Sequence, residues 1–127
     1  MGSQWTLDDL QQIGAAVEIE IAGERGDGTL RKPVIIWVVR AKDGLYVRSY
    51  KGEGAAWFRG AKVRHQGKIW AGGQQHAATF VEVSDPQIND LVDEAYRGKY
   101  RRYGPQYIDA MTTPAVRATT LQIMPRS

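Results

Sequence analysis

Hydrophobic and polar residues recur along this chain with two different periods, and the switches between them mark its elements. Thr6 followed by Asp9 has capping-box spacing, with aspartate in the usual glutamate place, and Leu7, Leu10 and Ile13 form a short apolar stripe. This predicts a first helix from about Leu7 to Ile13. Val17, Ile19 and Ile21 then alternate with Glu18 and Glu20, the period of a half-exposed strand. The glycine-rich run from Gly23 to Gly28 turns the chain. Val34 to Val39 is apolar at every position and rich in β-branched residues, so it reads as one strand covered on both faces, with Pro33 tolerated only at its start.

A Lys-Asp-Gly turn around Asp43-Gly44 predicts a hairpin onto the strand that opens at Leu45. Gly52-Glu53-Gly54 reads as a flexible loop and Ala55 to Arg59 as a single helical turn. Val63 and Ile69, on either side of a turn at Gln66-Gly67, suggest two short strands, and another runs from about His76 to Val83. Asp85-Pro86 is a strong helix start, N-cap followed by proline at the first helical position. Ile88, Leu91, Val92 and Ala95 give that helix its buried stripe, and Gly98 its end. A helical piece from Pro105 to Met111 and a last strand from Thr119 to Met124 complete the pattern. About seven strands and three short helices, with no parallel crossover repeat, predict a mainly β chain with short helices, built as an antiparallel barrel.

Composition narrows this picture. The chain has 127 residues, the size of one domain, and with 43% hydrophobic residues it has enough apolar side chain for its own core. It has no cysteine, which removes disulfides, thiolate metal sites and thiol nucleophiles. The start, Met-Gly-Ser-Gln-Trp, lacks a basic region followed by an apolar run, and no stretch is apolar enough to span a bilayer, so the expectation is a cytoplasmic protein without a membrane partner. A net charge of +3 is too small to demand nucleic acid.

Candidate chemistry gathers around the hairpin. Thr29, Arg31 and Lys32 lead into its first strand, Arg48, Ser49 and Lys51 leave its second, and an antiparallel turn brings both groups to the same end. Arginine forks, lysine point charges and hydroxyls together suit a phosphate monoester or diester. The plainer reading is that these are solvated charges at strand ends. Trp57 and Phe58 follow a glycine-rich loop, and one helical turn cannot aim both the same way. Phe58 is expected in the core and Trp57 at a pocket, with Arg59 facing a ligand. His65 and His76 fall on different predicted strands with no carboxylate at metal spacing, so no metal is expected. Gly-x-Ser-x-Gly and Gly-x-x-x-x-Gly-Lys-Ser are absent, which leaves hydrolase and nucleotidase readings unsupported. From Ala95 to Tyr103 four cations interleave with three tyrosines, a pattern able to stack bases but more simply read as a helix C-terminus packed on the barrel.

A basic lead-in, an apolar strand, an Asp-Gly turn, Ser-x-Lys-Gly and then Trp-Phe resembles the split β-barrel proteins that bind FMN or a deazaflavin coenzyme. Among them the likeness is to deazaflavin-dependent nitroreductases, whose Gly-Arg-Lys-type and Ser-Lys-Gly-Gly segments map here onto Arg31-Lys32 and Ser49 to Gly52. Tyr50 is inserted between Ser49 and Lys51, and Gly28-Thr29-Leu30 replaces a simpler glycine lead-in. The chain as a whole resembles still more a small bacterial family of uncharacterised split-barrel proteins, domain of unknown function 2255, through Trp57-Phe58-Arg59 and Ala95-Tyr96-Arg97-Gly98-Lys99-Tyr100. The resemblance implies an FMN-binding-like split barrel that pairs as a homodimer, with the pocket at the subunit interface. It implies FMN or deazaflavin as cofactor and hydride transfer to a small acceptor. Arg31, Lys32, Ser49 and Lys51 would then hold phosphate with help from Thr29 and the amides near Gly52, and Trp57 would shape the ring site. Tyr46 and Tyr50 stand as candidate proton donors. Two other classes stay open: a non-catalytic barrel binding another anionic small molecule or a protein, with Tyr50 filling the pocket, and third, a nucleic-acid binder.

Overall fold

Local signals hold where they were strongest. In the computed structural model, which describes residues 4–126, the Thr6 hydroxyl accepts from the Asp9 amide at 3.0 Å, and α1 (Leu7–Ala15) buries Leu10 and Ile13. Met1–Ser3, where the chain start was read, lie outside the described residues. Asp85 caps α3 (Pro86–Tyr100) by accepting from the Gln87 amide at 2.8 Å. That helix runs on through Gly98, because Tyr96 and Tyr100 are buried one turn apart and tertiary packing overrides the glycine. Leu91, placed in the predicted stripe, is exposed, and the buried face carries Asn89, Val92, Asp93 and Tyr96 instead.

The apolar run 34–39 is two strands. It breaks at Trp37 and Val38 into β2 (Val34–Ile36), paired with β1 (Ile19–Gly23), and β3 (Val39–Ala41), paired with β4 (Gly44–Val47). Nor is it covered on both faces, since Ile35 is 64% exposed. With β5 (Gln66–Ala71), β6 (Gln74–Glu82) and β7 (Leu121–Pro125), these strands form one antiparallel sheet in the order β2-β1-β5-β6-β7-β4-β3. The two edge strands are consecutive in the chain, so the sheet curls until two residues bridge its edges. This is a split β-barrel.

The stretch around Val63 also differs from its reading. The predicted single turn is a full helix, α2 (Ala56–Arg64), and Val63 lies exposed on it. His65, in the left-handed region at φ 56°, ends the helix, and Gln66-Gly67 opens β5 instead of turning the chain. Gly23 lets α2 lie close on the sheet, since a Cβ there would meet the Ala61 Cα at 2.8 Å, while its register partner Gly67 packs against the β1 backbone, where a Cβ would meet the Gly23 Cα at 2.9 Å. Two further helices, α4 (Pro105–Met111) and the unpredicted α5 (Pro114–Arg117), join α3 outside the barrel.

Alternation along β4 sorts the two cores. Leu45 and Val47 point inward to Ile21, Phe58, Ile69, Phe80 and Ile123, while Tyr46 points outward with Val39 to Val92, Tyr96, Tyr100 and Met111. Just beyond β4 the chain buries a charge. Arg48 is 1% exposed, and all five of its N–H donors are engaged. Nε donates to the Thr120 hydroxyl at 2.9 Å; one terminal nitrogen donates to Asp93 at 2.5 Å and to the Met111 carbonyl at 2.9 Å; the other donates to the backbone and side-chain oxygens of Asn89 at 3.1 and 3.0 Å. Arg117 binds the second oxygen of Asp93 at 2.5 Å, and so ties α5 to the same carboxylate. Asp93→Ala would strand the buried Arg48 guanidinium and should lower unfolding free energy by about 3 to 5 kcal/mol in urea titrations, whereas Arg48→Met, which leaves Asp93 paired with Arg117, should cost less.

Candidate functional site

A cavity of about 660 Å³ opens beside β2. One wall is the edge strand itself, Val34 to Ile36, continuing into Trp37. Opposite it, the turn after β4 supplies Tyr50 and Lys51, the start of α2 supplies Ala55, Ala56 and Trp57, and α4 supplies Tyr107 and Met111. Apolar side chains dominate, and the volume suits a drug-sized or cofactor-sized ligand.

The turn is shaped by its own hydrogen bonds. The Ser49 hydroxyl donates to the Gly52 carbonyl at 2.7 Å, the Gly52 amide donates back to the Ser49 carbonyl at 2.9 Å, and Gly52 takes φ 76°, a conformation suited to glycine. These bonds leave Lys51 exposed at the cavity. Past a 3-10 turn at Gly52–Gly54, α2 begins without a side-chain cap, because Ala55 has no side-chain oxygen to offer. The first residue to bond back along this helix is Arg59, to the Ala55 carbonyl at 3.1 Å, so the helix start presents free amides and the positive end of its dipole.

Of the residues singled out from the sequence, the cavity brings together Tyr50, Lys51, Trp57 and the rim of Arg48. Arg48 has no donor left for a phosphate, and its charge is spent on Asp93. Ser49 is fully buried and serves the turn, with its amide bonded to the Thr119 hydroxyl at 2.8 Å. Thr29 sits in the loop after β1, where its hydroxyl donates to Asp27 at 2.7 Å. Arg31 crosses Gly60 of α2, where a Cβ would meet its Cδ at 2.5 Å, and its buried Nε has no partner. Lys32 and Arg59 are exposed. Arg31 and Lys32 do not border the cavity that Lys51 borders: Arg31 runs across α2 at Gly60 and Lys32 is exposed.

Phe58 is buried and Trp57 borders the cavity, meeting Phe58 edge-on at 6.0 Å. Tyr50 is 60% exposed and borders the cavity without filling it. Sequence reasoning missed Trp37, Tyr107 and Met111. The only signal for Trp37 was an indole inside a β-branched run. His65 pairs with Glu82 at 2.9 Å, and His76 stacks edge-on against Trp5 at 5.4 Å; neither borders the cavity. Among the described residues no cluster of three metal-binding side chains occurs, and no helix is long and apolar enough to cross a membrane.

The model of a bacterial family described as an uncharacterised protein conserved in bacteria, DUF2255, matches residues 9–123. The chain belongs to this family. No curated protein matches it. Among solved structures, the haem storage protein HutZ from Vibrio cholerae superposes with a TM-score of 0.66 at 12% identity, over 95% of this chain and 90% of that one. An F420-H2 dependent reductase gives 0.60 at 13%, over 85% and 93%, and a FAD-binding protein from Mesorhizobium loti 0.56 at 15%, over 98% and 92%. At such identities the likeness lies in the fold, the split barrel that the motifs implied.

In this DUF2255 chain the C-terminal turn of α3 is built into the barrel. Tyr96 and Tyr100 are buried, so the interleaved tyrosines form no run of open rings for bases. Lys99 donates to the Val38 carbonyl at 2.6 Å and lies 5.1 Å from the Tyr100 ring centroid. Burial disfavours its ammonium and lowers its pKa from 10.5 to about 8. Between those two values the unfolded chain holds more protons than the folded one, so this group's contribution to stability rises with pH through that window. Burial raises the Tyr96 and Tyr100 hydroxyls, whose contribution falls once unfolded tyrosines ionise near pH 10. The melting temperature of Lys99→Met relative to wild type should therefore be highest near pH 7 and should decline steadily by pH 10 in paired thermal scans.

Proposed function

We propose that this protein binds an anionic flavin-type cofactor, FMN or the deazaflavin coenzyme, in the cavity beside β2, and uses it to pass hydride to a small acceptor. The observation that carries the reading is the pairing of an exposed Lys51 and an uncapped helix start with an apolar, aromatic wall in one cavity of about 660 Å³. A phosphate-bearing planar ring needs both halves of that arrangement. The F420-H2 dependent reductase and the FAD-binding protein among the structural neighbours support the choice of ligand class.

In this reading Lys51 and the first amides of α2 hold the phosphate, with Gly52 giving the turn that aims them. Arg31, Lys32 and Arg59 add positive potential nearby, and Thr29 and Ser49 act through loop shape. Trp57 and the β2 edge exclude water from the ring. When bound, the cofactor supplies the redox chemistry, and the chain orients it. A second copy pairing over the open side belongs to the same proposal, since Ile35, Tyr50 and Tyr107 stand exposed around the cavity.

Fluorescence titration tests this with FMN, the deazaflavin coenzyme and, as the ligand named for the V. cholerae neighbour, haem. FMN or deazaflavin should bind saturably, and Lys51→Ala should weaken that binding about tenfold, the loss of one charge-assisted contact. Arg31→Ala should weaken it less, because Arg31 does not border the cavity. Saturable binding of haem alone, or of none of the three, would end the flavin reading.

A further inference from the structure

Trp37 occupies the bridge between the two edge strands, and its indole lies parallel to the Tyr100 ring, with centroids 3.8 Å apart and planes 2° apart. Tyr103 and Tyr107 flank it at 5.7 and 6.4 Å in tilted contacts. Tyr100 cannot move, since it is 1% exposed and its hydroxyl is held by the Val17 carbonyl at 2.6 Å and by the Val38 backbone. The indole is thus clamped on the Tyr100 side, and its half-buried remainder borders the cavity. Trp57, the ring partner suggested by sequence, also borders the cavity, with part of its indole packed against the barrel core and meeting Phe58 edge-on at an interplanar angle of 80°.

We propose that Trp37 is the ring-binding residue of the cavity: a fused, planar, electron-poor ring extends the Tyr100–Trp37 stack, with Trp37 as the platform and Trp57 as a side wall. This rests on the cofactor reading above and names a residue that reading does not require. The physical case is preorganisation. Offset stacking between large rings is favourable, and a platform already locked by its neighbour gives up no side-chain freedom when the ligand arrives. Lys51 and Trp37 then divide the work, one recognising the phosphate and the other the ring.

That division is measurable with two ligands sharing one ring: FMN, which carries a phosphate, and riboflavin, which does not. Trp37→Leu should weaken both by the same factor, about five- to tenfold, the size of one aromatic stack, and should relieve the quenching of the bound ring's fluorescence. Trp37→Phe, which offers a smaller ring against Tyr100, should weaken both ligands equally by about two- to threefold, and it carries the test if the leucine variant unfolds. Lys51→Ala should weaken FMN while leaving riboflavin nearly unchanged. The proposal is overturned if the folded Trp37 variants bind and quench both ligands as wild type does, or if they lose FMN affinity while keeping riboflavin. In either case FMN binding to wild type would leave the cofactor reading intact; failure of wild type to bind either ring would remove both.

Discussion

The backbone of Val38 is the point on which the barrel's opening depends. A strand that switches from one neighbour to another leaves its amide and carbonyl without ladder partners at the switch, and buried backbone groups of that kind are costly unless something else bonds them. Here α3 supplies the substitutes. Tyr100 Oη accepts from the Val38 amide at 3.3 Å, and Lys99 Nζ donates to the Val38 carbonyl at 2.6 Å. A hydroxyl has one proton, and the shorter of the two carbonyl contacts of Tyr100, to Val17 at 2.6 Å, takes it; the lysine is therefore needed for Val38. Satisfied in this way, the run 34–39 can leave β1 and join β4, and the sheet stays split. The cost is visible in Lys99, whose charge is partly desolvated to make the contact.

The cavity is a consequence of the same switch. Because β2 ends at Ile36, its outer edge is never paired, and the start of α2 and the turn after β4 face it across open space. Trp37 stands where the ladder fails, so its indole is free to stack on Tyr100 instead of packing in a sheet face. The Arg48 network lies directly behind. By holding Asn89, Asp93, Thr120 and the Met111 carbonyl together, it fixes α3, α4 and the lead into β7 against the end of β4. Its buried charge stabilises the back of the site and is unavailable to its front.

What was legible in the sequence is what local chemistry decides. The Thr6 and Asp85 caps, the hairpin around Asp43-Gly44 and the inward Phe58 beside a cavity-facing Trp57 follow from residues only a few positions apart. The split-barrel fold itself came from motifs and their order. The break at Trp37 was invisible because its clamp comes from Tyr100 and Lys99, more than 60 positions away. Arg48 looked like a phosphate ligand for the same reason: its partner Asp93 is 45 positions distant, and a lone arginine after a strand gives no sign of where its charge will be met. Val63 misled in the other direction, an exposed apolar residue on a helix whose C-terminus depends on His65 taking a left-handed conformation.

These misreadings share a cause that bears on how the fold carries ligands. The HutZ, F420-H2 dependent reductase and FAD-binding structures superpose on this chain while sharing at most 15% of its residues with it. At these identities the likeness is that of the curled sheet. In this chain the cation at the cavity sits on a turn closed by Ser49 and Gly52, and the aromatic platform sits at a strand break closed by α3. Both supports are closed by side chains that bond to the backbone, Ser49 at the turn and Tyr100 with Lys99 at the break, and none of these bonds uses the Lys51 or Trp37 side chain that is presented. A site of that construction tolerates the inserted Tyr50, which projects from the turn at 60% exposure while the turn beneath it keeps its bonds.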